Sequence, residues 1–143
     1  MNKLLESQRK ALEDIALLVL RLFMGATFLA YGVKKITSFD NYVILFSDKL
    51  DLPFPLLNLY IVIAVEVIGG LFILVGFLTR ATTIPLIITM ITALFLVNIN
   101  NGFAASKFGM EIPLAYIAIL LVLFAFGAGK YGIDKTEYEL KKA

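Results

Sequence analysis

The sequence predicts an all-α integral membrane protein, in which residues 1–143 form a single transmembrane domain folded as a four-helix bundle. Of its residues, 60% are hydrophobic and only 17% are charged, and the mean hydropathy is +0.90. This is too apolar for an ordinary water-soluble domain. Four continuous apolar runs approach the roughly 20 residues that a helix needs to cross a bilayer core. They cover about residues 15–33, 56–78, 81–100 and 112–129.

The first run is predicted to be a membrane span rather than a cleavable signal peptide. It follows Glu13-Asp14, is too long for a signal h-region and is interrupted by Arg21. Residues 1–14 and 130–143 are then polar tails. The third run follows the second after only Thr79-Arg80, so these two spans are expected to form an antiparallel hairpin.

The loop between the first two spans is predicted to contain a short helix that lies in the membrane interface. Ser38 is placed to be its N-cap, and Pro53 and Pro55 end it and restart the chain into the second span. The alternative is an irregular loop. Apolar side chains recur through this segment at helical spacing, at Phe39, Tyr42, Val43, Phe46 and Leu50.

The distribution of Lys and Arg predicts a multi-pass protein of the inner (plasma) membrane with both termini in the cytoplasm. Eight basic residues fall on the side of the termini and four on the opposite side. The eight are Lys3, Arg9, Lys10, Arg80, Lys130, Lys135, Lys141 and Lys142, and the four are Lys34, Lys35, Lys49 and Lys107.

Arg21 and Glu66 are the two charged residues deep within apolar runs. An isolated ionised carboxylate in a medium of low dielectric constant is costly, so Glu66 is expected to be paired, neutral or hydrated. We predict an Arg21–Glu66 ion pair between the first two spans, which requires some stagger of the helices. Such a pair either fixes the register of the helices or lines a polar cavity that handles a headgroup or a proton.

A second polar group is expected on the opposite membrane face from the termini. Lys34 and Lys35 are most simply interface anchors, Asn98 is expected to form an interhelical hydrogen bond, and Glu111 suits the positive end of a helix dipole. The members of this outer-face group are Tyr31, Lys34, Lys35, Asn98, Asn101 and Glu111.

The absence of Cys and His excludes thiolate chemistry, disulfides and Cys or His metal ligands, so no metal site and no covalent cofactor is expected. A net charge of +2 is too small to indicate a nucleic-acid partner. The predicted partner is the lipid bilayer. A soluble oxidoreductase partner and a homo-oligomer are both compatible with the sequence.

Several ordered motifs resemble the DoxX family of small bacterial membrane proteins, which is related to the membrane subunit of thiosulfate:quinone oxidoreductase. The first is L-R-L-F-M-G-A-T-F-L-A-Y-G-V-K-K, residues 20–35, and the second is V-E-V-I-G-G-L-F-I-L-V-G-F-L-T-R, residues 65–80. The motifs N-G-F-A-A-S at 101–106, E-I-P at 111–113 and G-A-G-K-Y-G-I-D at 127–134 follow.

The resemblance implies a place in quinone-linked redox or sulfur metabolism. Tyr31 and Asn98 stand where the family commonly has histidine, so a mechanism that needs imidazole is not available to this chain. One hypothesis is then a subunit of a quinone-linked oxidoreductase that binds quinone as a non-covalent cofactor at an intramembrane site formed by Arg21, Glu66, Tyr31 and Asn98. The other is a non-catalytic scaffold that anchors a soluble partner, or a carrier of a small solute.

Overall fold

The computed structural model describes residues 2–104 and 108–134, and every regular element within them is helical. This confirms the all-α fold class. The elements in chain order are α1 (Asn2–Thr37), α2 (Phe39–Ile44) with a π-helical turn (Leu45–Lys49), α3 (Pro55–Val75), α4 (Thr79–Ala93) extended by a π-helical turn (Leu94–Asn98) and a 3-10 turn (Ile99–Asn101), and α5 (Glu111–Phe126).

Four of these helices pack side by side into a bundle. α1 packs chiefly on α3, α3 on α4, α4 on α5, and α5 returns to α1. The stretches Lys3–Thr37, Pro55–Val75 and Thr79–Asn101 are long and apolar enough to cross a membrane. α5 is apolar but shorter, at 16 residues, or about 24 Å. We call the end of the bundle where α1 ends and α3 begins the upper end, and the opposite end the lower end.

α1 is much longer than the apolar run that predicted it. It begins at Asn2, whereas the run begins near residue 15. The segment before the run is rich in Leu, Glu, Lys, Gln and Arg, which are good helix formers, so the helix continues past the end of the apolar stretch. Arg9 and Glu13 support it with an exposed ion pair one turn apart, with 3.0 Å between Nε and Oε1. The predicted tail 1–14 is therefore helical from Asn2.

The hairpin between α3 and α4 turns earlier than predicted. Gly76 ends α3 with φ +70°, and Leu78 precedes α4 with φ +47°. The amide of Phe77 donates to the carbonyl of Phe72, which closes the last turn of α3. The prediction that Thr79-Arg80 form the turn is wrong, because a glycine in the left-handed conformation ends the helix before them. Both residues lie in the first turn of α4.

The first loop contains the predicted short helix, α2. Ser38 occupies its N-cap position, but the Ser38 side chain makes no capping hydrogen bond. Its backbone carbonyl instead accepts from the amide of Tyr42. The predicted helix is confirmed in position, whereas capping by the Ser38 side chain is not.

The buried core lies between the four long helices, towards the lower end. Met24, Phe28, Ile73 and Leu86 are completely buried within it. Many large apolar side chains point outwards, which suits a helix bundle whose surroundings are lipid. The whole buried cluster consists of Leu17, Met24, Phe28, Ile73, Leu86, Met90, Leu120 and Leu123.

Glycines bring the backbones of α1 and α3 close together. A Cβ atom placed on Gly70 would lie 2.8 Å from the amide nitrogen of Leu29 and 2.9 Å from the carbonyl oxygen of Gly25. Both of these atoms are backbone, so neither can move without moving its helix. Small residues at helix contacts permit this packing in membranes.

We expect Gly70→Ala to destabilise the bundle by about 1–3 kcal/mol, because the added methyl group must push α1 away from α3. The measurement is unfolding in mixed detergent micelles with increasing SDS. Gly69→Ala is the matched control, since its Cβ would meet only the flexible side chain of Leu86, at 3.1–3.3 Å. Equal effects of the two substitutions would contradict the close backbone contact.

Candidate functional site

Lys35 and Glu66 form a buried ion pair between α1 and α3. Lys35 Nζ lies 2.7 Å from Oε2 and 3.0 Å from Oε1 of Glu66, so the ammonium group donates to both carboxylate oxygens. The side chains are only 12% and 3% exposed. Hydrogen bonds between ionised groups are the strong ones, and burial makes them costly to break.

The local structure of α1 and α3 places the pair near the upper end. Gly32 faces Glu66, and a Cβ on Gly32 would lie 3.3 Å from the Cβ of Glu66. Lys35 is nearly one turn beyond Gly32 on the same face of α1, and α1 ends soon after it at Thr37. The Lys35 side chain therefore lies beside a carboxylate that is buried but close to the end of α1.

Two tyrosines flank the ammonium group of Lys35. Its nitrogen lies 5.7 Å from the ring centre of Tyr31 on α1 and 5.4 Å from that of Tyr42 on α2. Both distances fall in the range of cation–π attraction. Tyr31 is 38% exposed on the surface of the bundle. Lys35, Glu66, Tyr31 and Tyr42 are together called the upper polar site.

Tyr42 adds a phenol that stays protonated. Burial raises the pKa of Tyr42, and the negative charge of Glu66 raises it further. Its hydroxyl is therefore a hydrogen-bond donor at neutral pH. The upper polar site thus combines a cation, a carboxylate and phenols next to an apolar bundle.

The predicted Arg21–Glu66 ion pair is wrong. Arg21 is buried at the lower end and donates to three backbone carbonyls: Nε to Ile73 at 3.1 Å, Nη1 to Ala128 at 2.8 Å and Nη2 to Leu74 at 2.9 Å. Ile73 lies seven residues beyond Glu66 on α3, or about 10 Å along the axis. The helices lack the stagger that a direct pair needed, so Arg21 belongs to a different part of the molecule.

The comparison with known proteins assigns the chain to a family. The model of the DoxX family matches residues 16–99. This chain belongs to the DoxX family. The matched range contains Arg21, Lys35 and Glu66 but ends before α5.

Curated relatives agree with this membership. The chain is 35% identical to the inner membrane protein YqjF of Escherichia coli, over 88% of this chain and 95% of that protein. It is 27% identical to the putative oxidoreductase CatD of Bacillus subtilis, over 90% and 92% of the two chains. An uncharacterized membrane protein of Mycobacterium tuberculosis, Rv3486, is 24% identical over 84% of this chain and 80% of its own. No solved structure matches significantly.

The glycine-rich motif at 127–134 follows α5 and packs against the α3–α4 turn. Asp134 accepts hydrogen bonds from the backbone amides of Leu78 and Thr79, both at 2.9 Å. These amides belong to the start of α4 and have no partner within that helix, so a carboxylate stabilises them. Arg21 donates to carbonyls of Ile73 and Leu74 near the end of α3 and to the carbonyl of Ala128 in the same motif. Arg21 and the motif therefore have a structural role at the lower end.

Asn98 and Asn101 of the predicted outer-face group hold the chain between α4 and α5. The amide nitrogen of the Asn98 side chain donates to the carbonyls of Phe108, at 2.6 Å, and Gly109, at 3.2 Å. Both residues lie in the loop before α5, so the prediction of an interhelical hydrogen bond for Asn98 is wrong. Asn101 donates to the carbonyl of Val97, at 3.0 Å. Glu111 is the first residue of α5, as its predicted dipole role requires. None of these contacts joins the upper polar site.

Four residues were predicted to form the intramembrane quinone site. Glu66 and Tyr31 lie in the upper polar site, whereas Arg21 and Asn98 make their contacts elsewhere. Lys34 is exposed and fits an interface anchor, but Lys35 does not, because its side chain is only 12% exposed and is paired with Glu66. Tyr42 was noted only as an apolar position of the loop helix. Lys107, Lys135, Lys141 and Lys142 lie outside the described residues. Across 2–104 and 108–134, no cluster of acidic side chains is arranged to hold a metal ion.

Proposed function

We propose that this DoxX-family protein is a membrane subunit that binds a quinone at the upper polar site and works with a soluble oxidoreductase. The observation that carries the proposal is the buried Lys35–Glu66 pair between two tyrosines. A quinone ring carries carbonyl oxygens that accept hydrogen bonds, and its lipid-soluble tail suits a bundle surrounded by lipid. The related CatD is named a putative oxidoreductase, which agrees with this class of function.

Each residue of the site has a role that its chemistry supports. An ammonium group has three N–H donors. Lys35 uses two oxygens of Glu66, so its remaining hydrogen is available to a quinone carbonyl. The Glu66 carboxylate can accept a proton from a quinol hydroxyl. A bound quinone would supply the electron transfer itself, and the protein would orient it and handle the proton.

The alternative is a structural pair in a scaffold or small-solute carrier. The observation that favours it is that Lys35 and Glu66 already satisfy each other through two short hydrogen bonds. In that case the pair would fix the register of α1 against α3 and would bind nothing.

Glu66→Gln separates these two functions. The amide keeps the size of the side chain and one acceptor for Lys35, but it cannot take up a proton. We expect purified wild-type protein to retain quinone on lipid extraction, or to bind added short-chain quinone at one saturable site. We expect Glu66→Gln to weaken binding of the reduced quinol by about tenfold or more, because the quinol hydroxyl loses its charged acceptor and hydrogen bonds to charged groups contribute about 1.5–3 kcal/mol.

Asp40→Asn is the matched control, because Asp40 is an exposed carboxylate on α2. It is expected to bind quinone as the wild type does. A wild-type protein that binds no quinone after its addition would refute the proposal. A folded, monodisperse Glu66→Gln protein with unchanged quinol binding would leave only the structural role.

A further inference from the structure

α2 packs over the upper polar site at the upper end of the bundle. Its Tyr42 ring lies 5.4 Å from Lys35 Nζ, and its Phe39 ring packs on Tyr60 of α3 with 5.3 Å between ring centres. A headgroup that hydrogen-bonds to Lys35 from above therefore meets α2 first.

α2 is held only lightly in this position. No residue of α2 or of the π-helical turn that follows it is buried. Helices with few buried contacts open at low free-energy cost, and moving elements at binding sites are drawn from this class. α3 below it, by contrast, carries the buried side chains of Glu66 and Leu59.

The chain on the α3 side of α2 has the features of a hinge. The π-helical turn Leu45–Lys49 interrupts regular α-helical geometry, and such turns often mark functional sites. Asp51 and Phe54 then adopt left-handed backbone conformations, with φ +46° and +54°. Residues other than glycine pay a steric cost there.

We propose that α2, Phe39–Ile44, forms a lid that must move about the hinge that follows it to admit the quinone, and that it closes on the quinone through Tyr42. This inference depends on the proposed function, because it names the access route to the same site. The ligand enters at the upper end, between α2 and the ends of α1 and α3.

A reversible cross-link tests the lid, and the chain suits this experiment because it contains no cysteine. Phe39→Cys and Tyr60→Cys, combined, place thiols on the lid and on α3. A bifunctional methanethiosulfonate reagent then ties the two together. We expect the number of quinone sites to fall in proportion to the cross-linked fraction and to recover fully when a reductant cleaves the link.

The matched control combines Phe72→Cys with Phe77→Cys at the lower end of the bundle. Phe72 and Phe77 have almost the same ring spacing, 5.2 Å, and lie away from α2. Cross-linking this pair is expected to leave quinone binding unchanged. The single-cysteine variants, treated with the same reagent, show the effect of modification alone.

The outcomes distinguish the lid from the proposed function. Full binding by the cross-linked Phe39–Tyr60 variant would overturn the lid and indicate entry past the exposed Tyr31, while the proposed function would stand. No binding by the wild type would refute the proposed function and the lid with it.

Phe39→Ala gives a second measurement if the double-cysteine variant does not fold. It removes the ring that holds the lid on α3 without touching Lys35 or Glu66. Stopped-flow mixing with quinone is expected to show faster association and faster dissociation than in the wild type. Unchanged rates would overturn the lid.

Discussion

Replacing Lys35 by methionine is expected to destabilise the bundle by about 3 kcal/mol, because removal of one partner leaves a buried charge without compensation. Glu66 is only 3% exposed, so water cannot replace the lost ammonium group. The measurement is the midpoint of unfolding in mixed micelles with increasing SDS. Lys34→Met is the matched control, because the neighbouring lysine is exposed, and it is expected to unfold like the wild type.

A second substitution separates the cost of the unpaired charge from the role of the pair. Lys35→Met with Glu66→Met removes both charges, and replacing a buried ion pair by apolar residues of similar size is often neutral or stabilising. We therefore expect the double variant to regain most of the stability lost in Lys35→Met. A double variant less stable than the single one would show that the two side chains do not act as a pair.

Arg21→Ala is expected to lower stability by about 3–5 kcal/mol. Arg21 donates to the carbonyls of Ile73, Leu74 and Ala128. The Ile73 carbonyl also accepts from the Gly76 amide, so the loss falls mainly on the carbonyls of Leu74 and Ala128. Each buried carbonyl that loses its donor costs about 1–3 kcal/mol. The same unfolding assay measures the loss, and thermal aggregation in detergent provides an independent value.

Arg9→Ala is the control for the loss of an arginine. Its ion pair with Glu13 is exposed, and such pairs contribute about 0.3–0.5 kcal/mol. The stability of Arg21→Lys is expected to lie between those of Arg21→Ala and Arg9→Ala, because a single ammonium group lacks the forked geometry that reaches three carbonyls. An Arg21→Ala protein as stable as Arg9→Ala would contradict the structural role of Arg21.

The membrane class, the helices and the burial of a charged Glu66 inside the bundle could be predicted from the sequence because they depend on local composition. The partner of Glu66 could not. Arg21, Phe28, Gly32 and Lys35 all fall on one face of α1, so helical phase alone allows either basic residue to point at α3. The two lie about 21 Å apart along the helix at 1.5 Å per residue. Which of them meets Glu66 depends on the register of α3 against α1.

That register is set by contacts between helices rather than by either helix alone. Gly25 and Gly32 let α3 approach α1 and place Glu66 opposite the Lys35 end. The same register brings the end of α3 to Arg21. A signal was present in the sequence, since Lys35 follows Gly32 by three residues and Lys34 does not share that face. Interpreting both lysines as interface anchors overlooks this difference between their helix faces.

The role of Tyr42 could not be predicted because the sequence does not determine how α2 is oriented on the bundle. Its helical spacing indicated an apolar face but not which helix that face would cover. The motif at 127–134 was recognised by resemblance, yet its contact with the α3–α4 turn depends on the return of the chain after α5. Long-range contacts of this kind leave no local pattern.

The most direct test of the Lys35–Glu66 pair as a quinone site is a quinone titration of the Lys35→Met/Glu66→Met variant beside the wild type. The two proteins are compared under conditions in which they have the same free energy of unfolding, so that a loss of quinone binding is not caused by unfolding. We predict saturable binding by the wild type and affinity at least about tenfold weaker in the variant, as expected for lost hydrogen bonds to charged groups. Equal quinone affinity in the two proteins would contradict the assignment of the Lys35–Glu66 pair as a quinone site.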